Sequence, residues 1–290
     1  MNNYTITTEI TADLSINLVN ELGITVIPMI YSIDGIEHVY DLNGSDTSLS
    51  DFYKKLENGG IAKTTQINPA GYIEYFEPIL ASGNDLLHIG FSSGLSGSFN
   101  SAVLASELLK EKYPNRRCIC IDSLSASSGH GLLVYEACQM KKKGLSITEL
   151  QRWVEENKLR VAHWFIVSDL DHLQRGGRIS ATAALVGSVL HVYPILKVND
   201  YGKLEMSTKI RGSKKAVSRL NQILMNNISK SDSQTIMIAH SDDFASAQIL
   251  QKMIASSLPE HSIFINDMGP IIGAHTGKNA LTLHFFTSHR

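Results

Sequence analysis

Short apolar runs alternate with longer amphipathic stretches through the first half of the chain. Thr25-Val-Ile-Pro-Met-Ile-Tyr31, Asp85-Leu-Leu-His-Ile-Gly-Phe91 and Arg117-Cys-Ile-Cys-Ile-Asp122 read as strands. Between the last two, Val103, Leu104, Leu108 and Leu109 recur at helical spacing and predict a helix over 100–112. Strand, helix and strand in this order imply a right-handed parallel crossover. Residues 126–143 and 146–156 read as further helices, the second opened by the capping-box pattern Ser146-x-x-Glu149.

A second set begins near residue 160. Ala162-His-Trp-Phe-Ile-Val167 reads as a strand, and residues 179–190, rich in small and apolar side chains, as a buried helix. Tyr193 to Val198, an Asp200-x-Gly202 turn and Lys203 to Ser207 form a hairpin pattern. Helices over 214–227 and 244–256 flank the strand Thr235 to Ala239. The expectation is an α/β protein of two α/β domains, the N-terminal one built on a parallel sheet. We place the boundary at 158, giving domains 1–158 and 159–290.

With 290 residues, 43% of them hydrophobic and 19% charged, the chain has the balance of an ordinary globular protein. A net charge of −2 argues against a nucleic-acid binder that works by charge alone. Cys118, Cys120 and Cys138 make neither a disulfide framework nor a zinc signature. The alternation around Cys118 and Cys120 points to packing in a buried strand. The start, Met1-Asn-Asn-Tyr-Thr5, shows no signal-peptide pattern, and no run approaches the roughly 20 apolar residues that span a bilayer. A reduced, cytoplasmic setting is the expectation.

The segment Phe91-Ser-Ser-Gly-Leu-Ser-Gly-Ser-Phe99 joins a strand end to a helix start, the place where open α/β sheets bind ligands. Gly94 and Gly97 allow close backbone approach, while Ser92, Ser93, Ser96 and Ser98 supply hydroxyls. Four serines and two glycines exceed what a helix cap needs, which favours an anion site. The Lys of a phosphate-binding loop is missing, and Gly94-Leu-Ser-Gly-Ser98 carries its second Gly one position too early for a nucleophile elbow. Leu173-Gln-Arg-Gly-Gly-Arg-Ile-Ser180 sets Arg175 and Arg178 around a double Gly, either as an anion-binding turn or as a solvated surface loop. Lys209-Ile-Arg-Gly-Ser-Lys-Lys215 is a compact basic cluster. His275 lies between Gly273 and Gly277, where structural and functional roles are both open. Thr64 and Thr65 either cap a turn or point a hydroxyl into a cleft. The remaining histidines lack metal-ligand spacing, so no metal site is expected.

Taken together these segments resemble the DegV family, whose best-described members are the fatty-acid-binding subunits of bacterial fatty acid kinase. The likeness rests on Thr8 to Leu14, Lys63-Thr-Thr-Gln66, Ser92 to Ser98, Leu173 to Ser180, Lys209 to Lys215 and Gly273-Ala-His-Thr-Gly277, in that order along the chain. It implies two α/β domains with an acyl chain in a tunnel between them. It further implies a carboxylate held by Thr64 and Ser96, helped by the Gly97 amide, with Arg211 and His275 near the head group. Ser93, Arg175 and Arg178 are implied as further contacts with the head group or the kinase. Where the family usually has Thr-Asp-Ser-Thr this chain reads Thr8-Glu-Ile-Thr11, and its serine loop ends in Ser98 where the family often has Thr.

The implied function is a carrier without a catalytic set and without a cofactor beyond the bound lipid. It would take palmitate, stearate or oleate and present the carboxylate to an ATP-binding kinase subunit, which makes an acyl phosphate for phospholipid synthesis. Transient membrane contact fits such a carrier. About 16 carbons at roughly 0.8 kcal/mol per buried CH₂ offer on the order of 10 kcal/mol before binding costs. The tail would therefore supply affinity, with residues 179–190 as candidate wall, and the head contacts orientation. Two alternatives are a lipid hydrolase or acyltransferase using Ser96 with His275 as base, and a binder of another small lipid.

Overall fold

The computed structural model describes residues 4–168, 170–180, 191–229 and 235–290. The first half carries β1 (Tyr4–Glu9), β2 (Thr25–Ile27), β3 (Met29–Ile33), β4 (Ile36–Tyr40), β5 (Ala62–Thr65), β6 (Asp85–Gly90) and β7 (Cys118–Asp122). Four of these form an all-parallel sheet in the order β2-β1-β6-β7, and β4-β3-β5 make a small antiparallel sheet. Its helices are α1 (Ile16–Leu22), α2 (Leu49–Glu57), α3 (Pro69–Ala81), α4 (Ser98–Lys112), α5 (Ser127–Lys142) and α6 (Ile147–Asn157). Helix α4 crosses between the parallel strands β6 and β7, as the sequence predicts. The capping box at α6 is formed in full: Ser146 accepts from the Glu149 amide, and Glu149 accepts from the Ser146 amide.

The second half adds β8 (Val161–Ile166), α7 (Asp171–Arg175), β9 (Val192–Val198), β10 (Leu204–Arg211), α8 (Ser213–Asn227), β11 (Thr235–His240), α9 (Phe244–Ser257), β12 (Ser262–Asp267), α10 (Pro270–Thr276) and β13 (Leu281–Phe286). Its sheet runs β10-β9-β8-β13-β11-β12 and is mixed. Only β11 and β12 pair in parallel, because β13 returns antiparallel between β8 and β11. The hairpin predicted around residue 200 is β9–β10. The chain therefore has a parallel-sheet N-terminal domain and a second α/β domain. Of the predicted helix over 179–190, residues 181–190 lie outside the described residues, and so does that part of the proposed tunnel wall.

Two details differ from the sequence reading. The single strand expected over 25–31 is two strands in different sheets, divided at Pro28, which has no N–H to donate to a ladder. Cys118 and Cys120 sit on β7, an edge strand, and are half-buried rather than fully enclosed. Alternation marks the two faces of a strand but not whether another strand covers its side.

Two elements bring the halves together. Helix α5 is buried along most of its length and packs on β8, β11 and β13, so its Leu132, Leu133 and Val134 share a core with Met237 and Phe286. Short α10 leaves the second sheet and packs against α2, β3 and β5 of the first half. A Cβ on Gly273 would collide with the Tyr53 hydroxyl, which donates to the Met268 carbonyl at 2.7 Å. Close approach at Gly273 carries the next turn of α10, with His275, onto the strand that holds Thr64.

Candidate ligand site

A cavity of about 780 Å³, counting the solvent space it includes, lies between the halves. Met29, Phe91 and Leu95 contribute apolar wall from the first half, and Phe165, Leu173, Val198, Leu204, Ile271 and Ile272 from the second. Thr64, Thr65, Gln66, Ser96, Arg178 and His275 gather polar groups at its partly exposed side.

The serine loop is shaped by its own hydrogen bonds. Ser92 donates to the Gly202 carbonyl at 2.8 Å, which fastens the loop to the β9–β10 turn. A Cβ on Gly94 would come within 2.6 Å of the Tyr201 carbonyl, so this contact requires glycine. The hydroxyls of Ser96 and Ser98 are 3.0 Å apart, and Ser98 also accepts from the Ile67 amide at 3.1 Å. Gly97 lies directly under the Gln66 side chain and adjoins the first turn of α4. The loop thus presents to the cavity one partly exposed hydroxyl, that of Ser96, at the start of a 15-residue helix.

Thr64 on β5 meets His275 on α10: Oγ1 and Nε2 are 2.9 Å apart. Burial, with Arg178 and His172 nearby, pushes the His275 pKa down to about 4, so the ring is neutral near pH 7. Gly176 packs against the same ring, which explains one glycine of the double-Gly turn. Arg178 donates through Nε to the Leu95 carbonyl at 3.1 Å and through Nη1 to the Gly176 carbonyl. It therefore ties the double-Gly turn to the serine loop.

The other residues singled out in the sequence fall elsewhere. Ser93 is exposed, its amide donating to Asp122 at 3.1 Å. Arg175 is exposed beside His172. Arg211 is exposed at the end of β10, and the structure does not bring it to the cavity. Nor are Ser96 and His275 paired as nucleophile and base, since Ser96 bonds Ser98 while His275 bonds Thr64.

Several lining residues were invisible in the sequence. Thr11, Ser127, His163, Thr282 and His284 are all buried on the cavity wall. They come from four separate places in the chain, Thr282 and His284 sharing β13, so no local spacing gathers them. Ser127 and Asp13 do share a signal: both hold left-handed backbone, φ 52° and 48°, and Ser127 donates to Asp13 at 2.6 Å. Asp13 also accepts from the amide of Gly269, the residue directly before α10, at 3.0 Å. Burial raises the Asp13 pKa to about 7.

Glu9, one of the departures noted in the sequence, is fully buried and structural. Tyr72 donates to its Oε1 at 2.7 Å, His88 Nε2 lies 3.2 Å from the same oxygen, and the Phe91 amide donates to Oε2 at 2.9 Å. Burial alone would raise this carboxyl, but His88, His130 and Tyr72 together hold it down at about 2. A buried carboxylate thus anchors the backbone at which the serine loop begins.

Fold and cavity define a class: two-domain α/β proteins with an apolar chamber between the domains and hydroxyls at its edge. The chain belongs to the DegV family, since the family model described as "Uncharacterised protein, DegV family" matches residues 3–288. A DegV domain-containing protein of Clostridium perfringens is 43% identical over 285 residues, 98% of each chain. Among solved structures, DegV of Bacillus subtilis, described as a fatty acid binding protein, is 27% identical, with a TM-score of 0.85 over 99% of this chain and 100% of that one. A Thermus thermophilus DegV family protein described by its fatty acid binding is 26% identical, with a TM-score of 0.86 over 98% of this chain and 99% of that one. The fold also extends to the fatty acid kinase B3 protein of Streptococcus pneumoniae, solved with linoleic acid. That protein is 22% identical, with a TM-score of 0.84 over 99% of this chain and 100% of that one.

Proposed function

We propose that this chain binds a long-chain fatty acid in the cavity and presents its carboxylate to a kinase subunit for conversion to an acyl phosphate. One observation carries the reading. Among the described lining residues there is no carboxylate and one permanently charged group, the Arg178 guanidinium, set beside Thr64, Ser96 and His275 at the rim of an otherwise largely apolar chamber. An amphiphile with one negative end matches that distribution. A buried apolar tail supplies affinity at roughly 0.8 kcal/mol per CH₂, and the head contacts set the direction of entry.

In this reading His275, being neutral, donates from Nε2 to Thr64 Oγ1, which frees the Thr64 proton for the carboxylate. Ser96 Oγ donates to the other oxygen and the Gly97 amide assists. Hydroxyls and an amide hold a carboxylate without attacking it, and a partly exposed rim leaves it within reach of a partner enzyme. The relatives described as fatty acid binding proteins support the ligand class. The family resemblance is what suggests the kinase.

Native mass spectrometry of the purified protein tests the ligand: a co-purified acyl chain, or uptake of added palmitate or oleate, is expected, and neither would refute it. Thr64→Ala and Ser96→Ala should each weaken binding by about 2 kcal/mol, roughly thirtyfold. The carrier role is checked by adding a fatty acid kinase ATP-binding subunit, ATP and loaded protein, and following acyl phosphate formation.

A further inference from the structure

The buried side of the cavity is more polar than a hydrocarbon tail requires. Most of its polar groups are already engaged. Ser127 donates to Asp13 at 2.6 Å, Thr276 to Met268 Sδ at 3.1 Å, and Thr282 accepts from the Ala239 amide at 3.1 Å. His163 Nδ1 bonds the Val161 carbonyl at 2.8 Å, and its Nε2 accepts from the Ala126 amide at 3.5 Å.

Two groups are different. Thr11, 1% exposed, and His284, 2% exposed, both line the cavity. Thr11 Oγ1 has no hydrogen-bond partner among the described residues, and of the His284 ring nitrogens one faces the Ala162 backbone while the other has no partner there. They come from opposite halves of the molecule, Thr11 from the turn after β1 and His284 from the middle of β13. Buried polar atoms without partners are costly, and Val and Leu would line the same space without that cost.

We propose that Thr11 and His284 form a second polar subsite on the buried wall of the cavity, which takes a hydroxyl or keto oxygen carried along the acyl chain. Burial keeps the His284 ring neutral, with a pKa of about 3, so with one nitrogen donating to the Ala162 carbonyl the other is an acceptor. The Thr11 hydroxyl can donate and accept. A chain hydroxyl can donate to the open His284 nitrogen and accept from Thr11, whereas a plain alkyl segment leaves both unmet. The favoured ligand class is therefore an oxygenated long-chain acid. This inference rests on the fatty acid reading and refines its specificity.

The test is competitive binding of positional isomers of hydroxystearic acid against stearic acid on the full chain. At least one isomer should bind about tenfold more tightly than stearate, the worth of one well-made buried hydrogen bond. Thr11→Val or His284→Leu should bring that isomer and stearate to equal affinity, while Thr11→Ser keeps the preference. If stearate binds and no isomer exceeds it, the subsite is refuted and fatty acid binding stands. If neither stearate nor any isomer binds, both readings fall together.

Discussion

Thr64 Oγ1 and His275 Nε2 lie 2.9 Å apart although 211 positions separate them in the chain. A proton gained by this ring would leave its Nε2–H on Thr64 and add a positive charge beside the hydroxyl, but burial keeps the ring neutral, with a pKa of about 4. Because that value is depressed, the ring gains its proton only as pH falls through about 4, not near the ordinary 6.5. Fatty acid affinity should therefore be flat between about pH 6 and pH 8. A titration step centred near 6.5 and abolished by His275→Gln would show that the ring is not buried as described.

Gly94 sits where a Cβ would meet the backbone of the β9–β10 turn. Gly94→Ala places a methyl group against the Tyr201 carbonyl and the backbone of Gly202, and must break the Ser92–Gly202 hydrogen bond or move the turn. The expected loss is about 2 kcal/mol of unfolding free energy, with weaker fatty acid binding as the loop shifts. Urea denaturation together with ligand titration reads both effects.

Glu9 should be a large contributor to stability. Its removal leaves His88, the Tyr72 hydroxyl and the Phe91 amide facing nothing, so Glu9→Ala should cost about 3–5 kcal/mol. The folded carboxyl is depressed to about 2 from an ordinary 4.5, so its contribution is complete above 4.5 and disappears as pH falls through 2. Acid unfolding of the native chain should steepen across that window, and the variant should lose that component.

Asp13 has the opposite sign. Burial raises its pKa from 3.8 to about 7, so the folded chain holds a proton there that the unfolded chain has released. Its cost is absent below 3.8, grows between the two values and is complete above 7. Stability should decline over that interval, and Asp13→Asn should flatten the decline in thermal melts taken from about pH 4 to pH 8. An unchanged slope in the variant would place the titrating group elsewhere.

Local pattern alone was enough for much of the architecture. Helical spacing located α4, α5 and α6, and the capping box fixed where α6 begins. The serine loop was legible because a strand, a Gly-Ser turn and a helix follow one another directly. Order at Thr25–Tyr31 was misread because the apolar run continues through Pro28, while the backbone leaves one sheet for another. The strands β12 and β13 were missed, and with them the mixed character of the second sheet, since their neighbours lie far away in sequence.

The sequence by itself determined most of the helices, several strands, the loop at the end of β6 and the supply of hydroxyls, amides and guanidinium groups, all of which depend on neighbours a few residues apart. Tertiary structure decided which of them share a cavity. It set His275 on Thr64 rather than Ser96, drew Arg178 to the loop, left Ser93, Arg175 and Arg211 exposed, and added Thr11 and His284. The reason is physical: helix and strand periodicity are local. Burial, the depressed imidazole pKa and the meeting of two domains through α5 and α10 arise only when distant segments exclude water from the same space.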